Sequence, residues 1–167
     1  PNVPVDNQYI VDNEGALCFK DTPGKLGVIG AGVIGLELGS VWGRLGADVV
    51  LFEAVDSFLA ACDADISKIA GREFKKQGLD IRLNTKVKQA QVADGQVNII
   101  IEGPKGEEQL QLDRLLVACG RRAASTGLLA PDCGVQLDDR GRVAVDEHCH
   151  TGVDGVWAIG DLIRGPM

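Results

Sequence analysis

Several features that mark common classes of protein are missing from this sequence of 167 residues. There is no excess of basic residues, because 24 Asp and Glu outnumber 17 Lys and Arg and give a net charge of −7 at pH 7. This balance argues against nucleic acid or an anionic membrane surface as a partner. No apolar run is as long as a membrane span, and no signal-peptide pattern opens the chain. We therefore predict neither a nucleic-acid partner nor a membrane partner.

Cysteine pairs with the spacing of a metal or redox motif are also missing. The cysteines are odd in number and scattered, and no two show Cys-x-x-Cys spacing; they are Cys18, Cys62, Cys119, Cys133 and Cys149. We expect no disulfide framework or zinc ribbon, and we interpret them as buried or incidental thiols of a cytoplasmic protein. His148 and His150 have no third ligand nearby, so no metal is predicted. The chain begins at Pro1 without an initiator methionine, and we expect a piece of a longer protein.

Between residues 25 and 53 the sequence reads as strand, glycine turn, helix and second strand. The apolar run 26–29 predicts the first strand, and the continuous run 49–52 predicts a parallel strand buried on both faces. Gly46 stands where a left-handed helix cap is expected. The helical pattern between them predicts a buried face made of Ile34, Leu38, Val41, Trp42 and Leu45.

The glycine turn has the spacing of a dinucleotide-binding motif. Gly30 allows the tight turn, Gly32 lets a pyrophosphate approach the backbone, and Gly35 lets the helix pack closely on the strands. The first N–H groups of the helix then bind phosphate. Glu53 closes the second strand at close to the usual offset of about 20 residues, where a carboxylate accepts the ribose hydroxyls and repels a 2′-phosphate. The pattern predicts NAD binding; the alternative is a glycine-rich loop that binds nothing.

The remaining pattern predicts a helix, a strand and an inserted meander. Asp63 and Asp65 begin a helix whose apolar face is Ile66, Ile69, Ala70 and Phe74. Residues 79–83 alternate as a third strand, and the turn pair Asp94-Gly95 predicts a hairpin.

The meander strands are predicted at 87–92, 97–101 and 109–112, followed by a core strand at 115–119. Short strands are predicted at 9–11, 142–146 and 156–159. The predicted fold class is α/β, with a Rossmann-like parallel sheet and an inserted three-stranded antiparallel β-meander.

Four motifs occur in order: GVIGAGVIGLELGSVWGRLGADV, FKKQGLDIRLNTKV, LLVACGRR and TGVDGVWAIGDLIRGPM. Together they resemble the pyridine nucleotide–disulfide oxidoreductases, and most closely those that oxidise protein-bound dihydrolipoamide. The resemblance runs from about residue 10 to residue 167. It implies an enzyme that passes electrons through a disulfide and FAD, and a hydride to NAD⁺. It also implies a homodimer that serves the lipoyl domains of 2-oxoacid dehydrogenase complexes.

The resemblance implies cofactor roles for particular positions. Glu53 is expected at the adenosine ribose, Val87 at the adenine, and Glu37 and Gly120 near the nicotinamide. The full set implied to line NAD is Gly30, Ala31, Gly32, Val33, Ile34, Gly35, Glu37, Glu53, Val87 and Gly120. Asp161 and Met167 are implied to contact FAD in the full-length enzyme.

The sequence departs from the family's pattern in one loop and lacks its catalytic parts. Where the family often has GRRPNT, residues 120–125 read GRRAAS. The redox-active Cys-x4-Cys segment, the first FAD-binding glycine motif and the C-terminal domain with its His–Glu pair do not occur here. No catalytic residue is therefore assigned, and the fragment is expected to bind NAD without catalysing.

The resemblance implies three segments: 1–21 as a partial edge of the FAD-binding domain, 22–143 as the NAD-binding domain, and 144–167 as a returning FAD-domain segment. Two alternatives stay open. One is another flavin–disulfide reductase, such as a mercuric or glutathione reductase. The other is a stand-alone NAD-sensing domain.

Overall fold

The parallel sheet predicted from the sequence has five strands. The computed structural model describes residues 3–60 and 62–165 of the chain. The strands along the chain are β1 Ile10–Val11, β2 Lys25–Ile29, β3 Asp48–Phe52, β4 Asp80–Arg82, β5 Lys86–Ala93, β6 Gln96–Gly103, β7 Gly106–Leu112 and β8 Arg114–Val117. The order β1-β8-β2-β3-β4 forms one sheet in which every pairing is parallel, and β5-β6-β7 forms a second, antiparallel sheet. The predicted fold class is confirmed.

Strand β3 is buried on both faces, as its continuous apolar run predicts. Val50 and Phe52 belong to a cluster shared with the meander, whereas Val49 and Leu51 belong to a cluster on the opposite face of the sheet. The alternation follows from the two-residue repeat of a strand. Each such fully buried side chain contributes about 1.5–3 kcal/mol of hydrophobic stabilisation.

Helix α2 (Val33–Arg44) has the predicted position, and its predicted buried face is confirmed only in part. Leu38 and Trp42 are half-buried against the core, as predicted. The buried residues of α2 are Gly35, Leu36, Gly39 and Ser40, while Val41 and Leu45 are exposed. The physical reason is that α2 lies very close to the parallel sheet. A Cβ on Gly39 or Gly43 would already touch Val49 or Leu79 at 3.4 Å, so the side of α2 with small residues lies on the sheet. The predicted left-handed residue Gly46 is confirmed, with φ of 109°.

Helix α3 (Ala64–Lys76) begins at the predicted cap, where Asp63 accepts the Asp65 N–H at 2.9 Å. The prediction of a buried face is wrong, since no described residue of α3 is buried and Ile66 and Ile69 are largely exposed. Phe74 is half-buried, and its ring packs against Phe58 in a T-shaped contact with centroids 6.2 Å apart. A cavity of about 880 Å³ lies beside α3 and is lined in part by Phe58, Leu79 and Ile81.

The inserted meander is confirmed. β5 pairs with β6 and β6 with β7 in antiparallel register, and Asp94 and Gly95 both have positive φ, as a tight hairpin turn requires. The meander contributes Val97, Ile99 and Ile101 to the core beneath the parallel sheet. Among the residues that the structure describes, no helix has both the length and the apolar composition needed to cross a membrane.

The N-terminal segment contributes to the parallel sheet. Ile10 and Val11 pair with Leu115 and Leu116, which confirms the predicted short strand. A helix that the sequence reading missed, α1 Asn13–Leu17, follows; its cap is Asp12, which accepts the Gly15 N–H at 2.9 Å. The chain divides into two compact units, Pro1–Cys119 and Gly120–Met167. The assignment of 1–21, 22–143 and 144–167 to NAD and FAD domains stays a prediction.

In the second unit the strands predicted at 142–146 and 156–159 are wrong as extended elements. Each region makes one isolated bridge instead, Leu137 with Val143 and His150 with Trp157. Carboxylate side chains accept backbone N–H groups in local turns beside these regions. Asp146 accepts the N–H groups of His148 and His150, both at 2.9 Å.

Asp138 organises a second such turn, and we expect this turn to open in acid. The pKa of Asp138 is held below its ordinary value of 3.8 by hydrogen bonds to its carboxylate. The largest effect comes from the Arg142 N–H, followed by the Arg142 guanidinium and the Arg140 N–H. Because the pKa is lower in the folded turn than in the unfolded chain, the ionised carboxylate stabilises the turn at any pH above 3.8. This stabilisation is lost as the pH falls through the lowered pKa of the folded turn.

The Arg140 and Arg142 amide resonances should therefore move together in an NMR titration below pH 3.8. Asp138→Asn should remove this transition. Asp139→Asn, next to it, should leave it intact. A transition that survives Asp138→Asn would contradict the assignment.

Candidate functional site

The carboxyl ends of β2, β3 and β8 meet at one edge of the parallel sheet. Ile29 pairs with Phe52 on one side and with Val117 on the other. After β2 the chain moves to β3 and β4, whereas β8 returns on the opposite side of β2. The strand order therefore changes direction between β2 and β8, and open α/β sheets bind ligands outside the strand ends at such a switch point.

Gly30 makes the turn that leaves β2. Its φ is 100°, which side chains other than glycine rarely allow, and its N–H donates to the Phe52 carbonyl at 2.8 Å. A Cβ at this position would lie 3.1 Å from the Ala118 carbonyl oxygen. Gly35, the third residue of α2, would place a Cβ against the Gly30 carbonyl oxygen. The predicted roles of these two glycines in turn geometry and close packing agree with these contacts.

Gly32 differs from both because the space around it is open. It is the N-cap of α2, and a Cβ at this position meets no heavy atom of the described residues within 4 Å. No side chain in the described part of the protein caps this helix end, and the first turn itself contains no acid. The positive end of the helix is therefore available to an anion, and Gly32 leaves room for a phosphate to approach.

Glu53 follows β3 directly and lies beside this turn. Its Oε2 accepts the Ala31 N–H at 2.9 Å, and its Oε1 accepts the Val55 N–H at 3.2 Å. The register of β2 and β3 places the acid next to the turn, as the sequence predicted. Its predicted contact with the adenosine ribose stays a prediction.

Glu37 and Val87 stand in different surroundings. Glu37 is exposed, two residues after Gly35 on α2. The Val87 side chain is 7% exposed and packs in the core with Ile99 and Ile101. Val33 and Ile34 occupy the first turn of α2, and Val33 is exposed. The nucleotide contacts predicted for these residues stay predictions.

Two predicted residues, Gly120 and Asp161, lie in the second unit. Gly120 is exposed with φ of 82°. Asp161 is in a single 3₁₀ turn, Gly160–Leu162, and its Oδ2 is 3.4 Å from an Arg121 guanidinium nitrogen. Met167 lies outside the described residues.

Sequence reasoning missed the bonds that tie Glu53 to its neighbours. The Thr85 N–H donates to the Glu53 carbonyl at 2.8 Å, and the Glu53 N–H donates to the Arg82 carbonyl at 2.9 Å. No residue type in the sequence marks these contacts, because all of them use backbone groups. They depend on the parallel pairing of β3 with β4.

Comparison with known proteins agrees with this geometry. The family model described as "Pyridine nucleotide-disulphide oxidoreductase" matches residues 2–167. The chain belongs to this family. The resemblance predicted from four motifs is thus confirmed.

Curated relatives match along the whole chain. The dihydrolipoyl dehydrogenase of Cupriavidus necator is 48% identical over 168 residues, which is 100% of this chain and 35% of that protein. The leghemoglobin reductase of Glycine max is 43% identical, over 100% of this chain and 32% of that protein. The chain therefore spans about a third of the length of these relatives.

Two solved structures superpose on most of the chain. The Cu(II) complex of the HOCl-induced flavoprotein disulfide reductase RclA from Escherichia coli has a TM-score of 0.85 and 34% identity, and covers 99% of this chain and 38% of that one. LpdA from Mycobacterium tuberculosis has a TM-score of 0.82 at 23% identity, covers 95% of this chain and 34% of that one, and supports the fold alone.

Proposed function

We propose that this chain is the NAD-binding part of a flavin-dependent dihydrolipoamide dehydrogenase. The observation that carries the proposal is the juxtaposition of an open Gly32, an uncapped helix end and the Glu53 carboxylate at the switch point of the sheet. The 48% identity to a dihydrolipoyl dehydrogenase supports the choice of enzyme.

In this proposal each part of the turn binds a different part of the dinucleotide. The first N–H groups of α2 hold the pyrophosphate, which approaches over Gly32. Glu53 accepts the adenosine ribose hydroxyls, and Val87 borders the adenine. Glu37 and Gly120 are assigned to the nicotinamide end. When bound, NAD⁺ accepts a hydride; the chain's own contribution is to orient it.

The parent enzyme carries the remaining chemistry in this proposal. It oxidises dihydrolipoamide on the lipoyl domains of 2-oxoacid dehydrogenase complexes, acts as a homodimer and uses FAD, to which Asp161 and Met167 contribute. No two cysteines among the 167 residues have Cys-x4-Cys spacing, so the disulfide chemistry is assigned to other parts of the enzyme. The cytoplasmic location also belongs to this proposal.

A second candidate is a flavoprotein disulfide reductase with another substrate. The 34% identity and high TM-score to RclA favour this alternative. It shares the nucleotide site and differs in the substrate of the parent enzyme. Assay of that enzyme with dihydrolipoamide decides between the two.

The proposal predicts saturable binding of NADH to this chain. NADH fluorescence should increase to a plateau on titration with the protein, because a bound nicotinamide is shielded from water. ADP should displace NADH, since it carries the same adenosine and pyrophosphate groups. Adenosine, which lacks the pyrophosphate, serves as the control and should compete far less well. No saturable change at millimolar protein or nucleotide would overturn the proposed function.

A further inference from the structure

The Glu53 carboxylate is bonded to backbone groups of its own chain. Both oxygens accept backbone N–H groups, from Ala31 at 2.9 Å and from Val55 at 3.2 Å. Ala31 is the central residue of the glycine turn and is only 1% exposed. Its N–H therefore finds its acceptor in the acid at the end of the neighbouring strand.

The backbone of Glu53 is itself fixed on the side away from the turn. Its N–H donates to Arg82 and its carbonyl accepts from Thr85. The preceding residue, Phe52, accepts the Gly30 N–H at 2.8 Å. Two successive N–H groups of the turn, at positions 30 and 31, are thus held by consecutive residues of the β3 end. The turn cannot shift unless it gives up these bonds.

We propose that Glu53 is a positioning residue for the phosphate-binding turn, in addition to its role as an acceptor for the ribose. This inference rests on the proposed function, because the turn is taken as the pyrophosphate site. We call the hydrogen bond from the Ala31 N–H to Glu53 Oε2 the anchor. Gly32 and the first N–H groups of α2 follow Ala31 directly, so the anchor determines the direction in which these N–H groups point. A carboxylate has about four acceptor positions, so two N–H bonds leave others for the ribose hydroxyls.

The ribose-binding role and the positioning role of Glu53 predict opposite changes in affinity for a ligand that has a pyrophosphate but no ribose hydroxyls. 2′,3′-Dideoxy-ADP keeps the pyrophosphate but has no ribose hydroxyl for Glu53 to accept. If Glu53 acts only on the ribose, removing its negative charge should leave the binding of this anion unchanged or strengthen it. If Glu53 positions the turn, the same removal should weaken binding, because the phosphate donors lose their alignment.

The test compares three variants of the chain by calorimetry with 2′,3′-dideoxy-ADP. Glu53→Ala removes both acceptors and should weaken binding about tenfold. Glu53→Gln keeps one acceptor oxygen and should give an intermediate loss. Asp48→Asn removes one negative charge from the opposite end of β3 and should change affinity less than about twofold. Equal or tighter binding by Glu53→Ala would overturn the positioning role.

Hydrogen exchange of the Ala31 amide tests the anchor without any ligand. In Glu53→Ala this amide should exchange at least about ten times faster, whereas the Val28 amide inside β2 should keep its rate and so report an intact sheet. An unchanged Ala31 rate would overturn the inference. Faster exchange in a chain whose wild type binds no NADH would uphold the anchor and overturn the proposed function instead.

Discussion

Gly32→Ala is expected to remove most NADH binding without unfolding the protein, and Gly35→Ala to destabilise the fold. A methyl group on Gly32 meets no heavy atom within 4 Å in the part of the chain that the structure describes, and the φ of −79° suits alanine. The change should therefore cost less than about 1 kcal/mol of unfolding free energy. The methyl occupies the space over which the pyrophosphate approaches, so NADH affinity should fall at least about 30-fold.

A methyl group on Gly35 lies instead against the Gly30 carbonyl oxygen and 3.2 Å from Val28 Cγ1. A backbone oxygen cannot rotate away as a flexible side chain can, so α2 must move off β2. We expect a loss of about 3 kcal/mol or more in the free energy of unfolding.

Urea denaturation and NADH titration of both variants separate the two effects. Gly165→Ala is the control, because among residues 3–60 and 62–165 a Cβ there also meets nothing within 4 Å, and the residue is far along the chain from the turn. Wild-type affinity in Gly32→Ala would mean that the nucleotide does not pass over this residue. Equal stability of Gly35→Ala and Gly32→Ala would contradict the packing argument.

NADPH is expected to bind at least about 30-fold more weakly than NADH, a difference of about 2 kcal/mol. Glu53 is half-buried beside the turn, and a 2′-phosphate on the adenosine ribose would meet its carboxylate. Two unit charges 4 Å apart repel by about 4 kcal/mol at an effective dielectric constant of 20, and solvent reduces this value for a half-buried acid. Calorimetry with both nucleotides measures the ratio.

The dependence of this preference on salt, and its change in a Glu53 variant, test whether the Glu53 charge causes it. The preference should shrink as ionic strength rises, because screening weakens the repulsion. Glu53→Gln should lower the affinity for NADH and bring the two nucleotides closer to equal binding. Equal affinities in the wild type would mean that the carboxylate faces away from the 2′ position.

The local sequence was sufficient to predict several elements of the fold. Strand β3 follows from a run of four apolar residues, the Gly46 cap from a residue that accepts positive φ, and the meander hairpin from Asp94-Gly95. These features depend on the residue itself or on its immediate neighbours. For the same reason the glycine motif and the acid that follows it could be recognised before any fold was known.

Tertiary structure decided which faces are buried and what the acid contacts. Apolar periodicity pointed to Val41 and Leu45 on α2, but small residues face the sheet because only they allow close approach of helix and strand. Ile66 and Ile69 on the predicted apolar face of α3 are exposed. Pairing of Ile29 with Phe52 brings Glu53 to the Ala31 N–H. The sequence by itself determined which chemical groups the turn and the following acid provide. The register between β2 and β3 decided how these groups meet, because it is set by contacts between residues that are distant in the chain.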